Sequence, residues 1–328
     1  MSCSNGISLR STYGLVAIAF AFAGCSSLAG GSTPQAPATG ALNALGGPQA
    51  HVGRTFGNRP ANSSQDLYIA NILGGVPLYS TGKNPQKVGD ITDQLPRVTS
   101  VWVDKKGVLY AYTDNRQSPY ETIEEFQPGA ASPFFSLVVQ HYGLIAVADA
   151  AQNVYAQAEN GQGQQVIDKY PPGSQNIANE YVVPSIGSCS GPQGMTFDST
   201  GALLVGVAAL ANNKRGQVGA VFRLNAGSST FTNLNLKNAY GGVIATDGAG
   251  NLYVGGVDTI SVYAPGATSP SRVIHTKAQV IALSAASDGT LYVQTYSGGI
   301  TVYAPGRVKS NESFIPQAQV SGLALGPG

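Results

Sequence analysis

Three histidines, three cysteines and a recurring aspartate are the residues of this chain best suited to chemistry. A histidine serves as a general acid or base, or as a metal ligand, once an acid or a second ligand orients it. His51 falls in a Gly- and Pro-rich stretch and His275 on the outermost strand of a repeat unit, which leaves His141 in "QHYGLIAVAD". No acid partner for His141 is visible in the sequence. Asp104, Asp149, Asp198 and Asp247 recur after apolar runs and before turns, where an aspartate bonds the backbone. One catalytic site needs no repeated copies, so their period reads as turn chemistry. Glu124 and Glu125 in "TIEEF" point to opposite faces of a strand and cannot work as a carboxylate pair. Cys189, in "SIGSCSGPQG", has no activating base in sight and reads as a small loop residue. There is no Gly-rich loop ending in Lys-Ser/Thr, no zinc-spaced cysteine pair and no His-Glu-x-x-His, so no cofactor and no metal set is expected.

The elements that must position these residues belong to a large β-rich body. With 43% hydrophobic residues in 328, the chain can bury a sizeable core. Only 11% of residues are charged and the net charge is +1, so there is no basic face for nucleic acid. Forty-two Gly and nineteen Pro supply turns, and sixteen Tyr favour strands.

From Asp66 onward one pattern recurs: an apolar run, a turn, then a strand usually marked "LY" or "VY". The copies are "TSVWVDKKGVLYAY", "LIAVADAAQNVYAQ", "GMTFDSTGALLVGV", "GVIATDGAGNLYVG" and "IALSAASDGTLYVQ". Their markers, Tyr110, Tyr155, Leu204, Tyr253 and Tyr292, stand 45, 49, 49 and 39 residues apart. Periods of about 40 to 50 residues with several short strands each mark a propeller. One full unit reads "YGGVIATD", "NLYVGG", "TISVYAPG" and "SRVIHT", four short strands of an antiparallel meander. First strands number six, the last being "QVSGLALG", whereas internal second strands number five, plus "DLYIAN" at residues 66–71. The expected fold is therefore all-β, a six-bladed β-propeller of four-stranded antiparallel blades over residues 66–328. Its closing blade takes one strand from the C-terminus and three from the N-terminal end of the domain, which removes free sheet edges.

The recurring "VYAPG" and "GNLYV" segments resemble the NHL-type six-bladed propellers, a group related to the regucalcin and gluconolactonase-like lactonases and to the streptogramin lyases. The resemblance covers residues 66–328 and rests on turn and core residues, so it speaks to architecture more than to activity. It implies that ligands meet the face built by loops from each outermost strand to the next innermost strand. Aligning the innermost strands puts Arg97, Tyr142, Gln193, Tyr240, Gln279 and Gln319 near their starts, with His141 beside Tyr142. That set is aromatic, rich in amides and carries one cation, suited to a polar ligand or simply to solvating the channel entrance. The lactonases hold a metal on the channel axis with Glu, Asn and Asp, and this ring has no carboxylate. The lyases depend on a catalytic His, for which only His141 is available.

Residues 1–25 read as an export signal: Arg10, an apolar run too short to span a bilayer, then Ala23-Gly24-Cys25. The ending resembles a bacterial lipobox, with Phe22 where that motif usually has Leu, and implies lipidation at Cys25; an ordinary secretory signal is the alternative. Residues 26–65, rich in Ala, Gly, Pro, Ser and Asn, read as a flexible tether. The expected protein is a bacterial lipoprotein facing periplasm or cell surface, touching the membrane through its lipid only. Its propeller binds a protein or carbohydrate without catalysis; the alternative is a lactonase-like hydrolase or lyase at the channel mouth.

Overall fold

The computed structural model describes residues 65–82, 84–92, 95–114, 121–187, 190–210, 217–316 and 318–327. The segment expected to be an export signal, with Cys25, the expected tether up to residue 64, His51 and Cys189 lie outside them. The described strands form six sheets, each of four antiparallel strands. Three strands of the closing blade come first: β1 (Asp66–Asn71), β2 (Val76–Ser80) and β3 (Lys87–Ile91). The first blade holds β4 (Val98–Val103), β5 (Leu109–Thr113), β6 (Glu121–Phe126) and β7 (Phe135–Val139). The second holds β8 (Ala146–Ala148), β9 (Val154–Glu159), β10 (Gln165–Tyr170) and β11 (Asn179–Val182). The third is β12 (Gly191–Phe197), β13 (Leu203–Leu210), β14 (Gln217–Leu224) and β15 (Thr232–Asn233). The fourth is β16 (Val243–Thr246), β17 (Leu252–Gly255), β18 (Thr259–Tyr263) and β19 (Arg272–His275). The fifth is β20 (Val280–Ala285), β21 (Leu291–Thr295), β22 (Ile300–Tyr303) and β23 (Glu312–Phe314).

The ring closes as the strand count requires. β24 (Val320–Leu325) pairs with β1, Leu67 opposite Leu325 and Ile69 opposite Leu323, giving the strand order β24-β1-β2-β3. Inner strands are packed on both faces, so their sequences run apolar without alternation: every residue of β5, "LYAYT", and of β21, "LYVQT", is buried. Outermost strands pack on one side, and β11 and β15 are largely exposed.

The turn between first and second strands explains the aspartate period. In the four copies that carry the aspartate, its Oδ1 accepts the backbone N–H groups two and four residues on: Lys106 and Val108 from Asp104, Ala151 and Asn153 from Asp149, Thr200 and Ala202 from Asp198, Ala249 and Asn251 from Asp247. The chain reverses through Gly250 at φ 80° in one copy and, unusually, through Gln152 at φ 66° in another. The marker tyrosine six residues later closes the unit: Tyr155 and Tyr253 donate their hydroxyls to Oδ2 of Asp149 and Asp247 at 3.3 and 2.9 Å. Where Leu204 replaces the tyrosine, Arg223 takes the carboxylate of Asp198 at 2.8 Å.

Candidate ligand-binding face

Strand direction alternates within a blade, so loops joining fourth to first strands share a face with loops joining second to third strands. Four of the expected positions are held there by one repeated bond. The carbonyls of Arg97, Tyr142, Gln279 and Gln319 accept the N–H groups of Asp114, Glu159, Tyr296 and Ile72, residues at the ends of second strands, at 2.9 to 3.1 Å. Tyr142 and Tyr240 are each followed by a glycine that lies against a neighbouring backbone. A Cβ on Gly143 would fall 1.7 Å from the Gln157 carbonyl oxygen, and one on Gly241 would fall 1.9 Å from that of Gly255. The "YG" pair therefore tucks the chain inward while leaving the tyrosine on the surface, Tyr142 and Tyr240 being more than half exposed. Gln193 sits inside β12 at a register shift, its Cβ against Gly242 of the adjoining segment. Arg97 is not an uncommitted cation: its Nη1 lies 2.9 Å from Asp114 Oδ2, so the pair offers an incoming anion little net charge.

The apolar surface is unevenly divided. Among the described residues thirteen large apolar side chains are exposed, and seven of them belong to this face. Leu73, Tyr240, Val257, Tyr296 and Ile315 follow one another around the fourth, fifth and closing blades; Tyr142 and Val218 stand apart. Four more lie on outermost strands, and only Phe134 and Val308 belong to loops of the opposite face.

His141 departs from the sequence expectation in two ways. It has an acid partner: its Nδ1 lies 2.9 Å from Asp168 Oδ2. It also belongs away from the channel axis, because Asp168 is on the third strand of the second blade and Glu180, paired with it across the sheet, is on the fourth. The loop carrying His141 is pinned along its length. Gln140 N–H donates to the Tyr170 hydroxyl at 3.4 Å, Gly143 N–H to Glu121 Oε2 at 2.9 Å, and Thr99 Oγ1 to the Leu144 carbonyl at 3.0 Å. Glu121 in turn accepts the buried Tyr112 hydroxyl. Burial pushes the Asp168 and Glu121 carboxyls above their ordinary values, and their hydrogen bonds to His141, and to Tyr112 and Gly143, partly offset this. Among the described residues, His141, Asp168 and Glu180 are the one group of three or more His, Cys, Asp or Glu side chains close enough to share an ion. Sequence reasoning missed Asp168 because its partnership is made by blade packing, 27 residues along the chain.

A cleft on the opposite face, between the second and third blades, is lined by Asp149, Tyr155, Lys169, Tyr181 and Phe197. Lys169 Nζ lies 5.4 Å from the Tyr155 ring centre, and Asp149 is already engaged in its turn. This arrangement fills space between blades and brings no acid-base pair together.

No protein-family model matches the chain, and no curated protein does. Solved structures do match in shape. The WD40 β-propeller domain of Doa1 is similar over 79% of this chain and 82% of its own, with 10% identity and a TM-score of 0.52. A protein of unknown function from Bacteroides caccae is similar over 81% of this chain and 100% of its own, with 10% identity and a TM-score of 0.57. At such identity the likeness concerns the fold, and the propeller is thereby a shared architecture rather than a shared activity.

Proposed function

We propose that the chain is a noncatalytic binding propeller that engages a protein partner through the face bearing Arg97, Tyr142, Tyr240, Gln279 and Gln319. The observation that carries this reading is the run of exposed apolar side chains, Tyr240, Val257, Tyr296, Ile315 and Leu73, on three consecutive blades of that face. Aliphatic and tyrosine side chains exposed together favour a protein surface; a carbohydrate site would need stacked aromatics with polar groups between them. The NHL-type kinship and the placement at a bacterial envelope, by a lipid on Cys25 and the tether 26–65, are parts of this proposal that rest on sequence alone.

The test compares two triple variants as baits in an envelope extract. Tyr240→Ser/Tyr296→Ser/Ile315→Ser should lose the proteins captured by the wild-type chain, whereas Phe134→Ser/Val138→Ser/Val308→Ser should keep them. Equal losses from both baits would contradict the reading. The rival hydrolase or lyase is favoured by the His141–Asp168 pair, which has the geometry of an oriented general base but lies off the channel axis rather than at the channel mouth. Turnover of lactone or depsipeptide substrates that disappears in His141→Ala would establish the rival instead.

A further inference from the structure

We infer that His141, Asp168 and Glu180 form a binding site for one divalent transition-metal ion, off the propeller axis between the first and second blades. Each residue offers a donor atom, and these donors lie within 4.8 Å of one another. Zinc bonds to imidazole nitrogen and carboxylate oxygen are about 2.0–2.2 Å, so two donors on one ion are at most about 4.4 Å apart. Glu180, exposed on the outermost strand, closes the difference by side-chain rotation.

Three features distinguish this group from a chance cluster. Asp168 is wholly buried, yet only one of its oxygens is satisfied: Oδ2 meets His141, while Oδ1 has no hydrogen-bond partner. A buried carboxylate oxygen left unpaired is costly, and a cation beside it removes that cost. Charge also balances, since two carboxylates and a neutral imidazole match a divalent ion. Finally, the donors are oriented from behind. Asn160, itself buried and fixed by the backbone N–H groups of Gln162 and Gln164, donates Nδ2 to Glu180 Oε1 at 3.1 Å, and the bonds of Gln140 and Gly143 hold the loop of His141. A mixed nitrogen and oxygen donor set suits zinc or a neighbouring first-row ion. With three protein donors, a tetrahedral ion keeps one position for water or for a donor from outside.

The site differs in place and ligands from the axial Glu, Asn and Asp set that the lactonase resemblance implies. It ties the loop between the first two blades to the two outer strands of the second, so the ion would also brace that edge of the binding face.

The experiment is a zinc titration of the full chain after chelator treatment, by calorimetry or by competition with a chromogenic chelator. One ion per chain is expected. His141→Ala and Glu180→Gln should weaken it more than about tenfold, since even ligand-supporting residues contribute that much. His275→Ala should leave it unchanged. Glu180→Gln lies on an exposed strand and keeps the fold, so its result stands even if changes at Asp168 unfold the blade. Cobalt(II) should give visible ligand-field bands in the wild type that vanish in His141→Ala. Absence of stoichiometric binding, or binding indifferent to both His141→Ala and Glu180→Gln, would overturn the inference.

Discussion

Carboxylates buried between blades give this propeller its most specific residue-level behaviour. Glu125, on β6, is almost fully buried, and burial first, then the neighbouring Asp104 and Glu124, raises its carboxyl from 4.5 to about 7. Unfolded, Glu125 ionises near its ordinary value. Between roughly pH 4.5 and 7 the folded chain therefore holds a proton that the unfolded chain has lost. Its contribution to stability is full below that interval and fades as pH rises through about 7. Glu125→Gln, which keeps the shape without the charge, should melt close to wild type at pH 5 and above it at pH 8. Each tenfold change in proton affinity is worth about 1.36 kcal/mol, which bounds the gain at about 3 kcal/mol. Equal offsets at both pH values would contradict the assignment. Sequence made part of this visible: Glu124 and Glu125 do fall on one strand, with Glu124 bonded to Thr122 and Ser136. That both are buried follows from packing by two neighbouring blades, which no local pattern reveals. The same reason hid the partnership of His141 with Asp168.

At the scale of strands and turns, the repeat was legible because each unit must make the same reversal. In the second and fourth blades the aspartate after the first strand and the tyrosine six residues later form a hydrogen-bonded clasp, which ties their spacing to the reversal. Less legible were the departures, such as Gln193 inside β12 at a bulge, since a register shift moves a side chain without any change in composition. The pairing of β1 with β24 is the element on which closure rests. Deleting residues 66–72 removes β1 and leaves β24 and β2 with unpaired edges, so the protein should aggregate or lose its cooperative melting transition. Deleting residues 26–60, which lack apolar periodicity, should leave the transition nearly unchanged. Thermal melts of the two truncations check this; equal tolerance of both would refute the shared blade.

For the whole molecule, the ring turns six similar blades into a face with two unlike parts. Over the fourth, fifth and closing blades it is apolar, with Tyr240, Val257, Tyr296, Ile315 and Leu73 exposed. Over the first and second, where Tyr142 is the one such exposed side chain among the described residues, it is more polar, with Arg97 joined to Asp114 and His141 to Asp168. Blade number and closure could be counted from sequence because repeats are self-referential. The division of the face could not, since it depends on which loop residues remain uncovered after six blades pack. Propellers share their frame across many activities, so the partner must be read from this surface. Site-specific photo-crosslinking in the native host addresses it most directly, with a benzophenone side chain placed singly at Tyr296, Ile315, Phe134 or Val308. The account predicts a discrete protein adduct from Tyr296 and Ile315 and none from Phe134 and Val308; adducts only from the latter pair, equally from all four, or from none would contradict it.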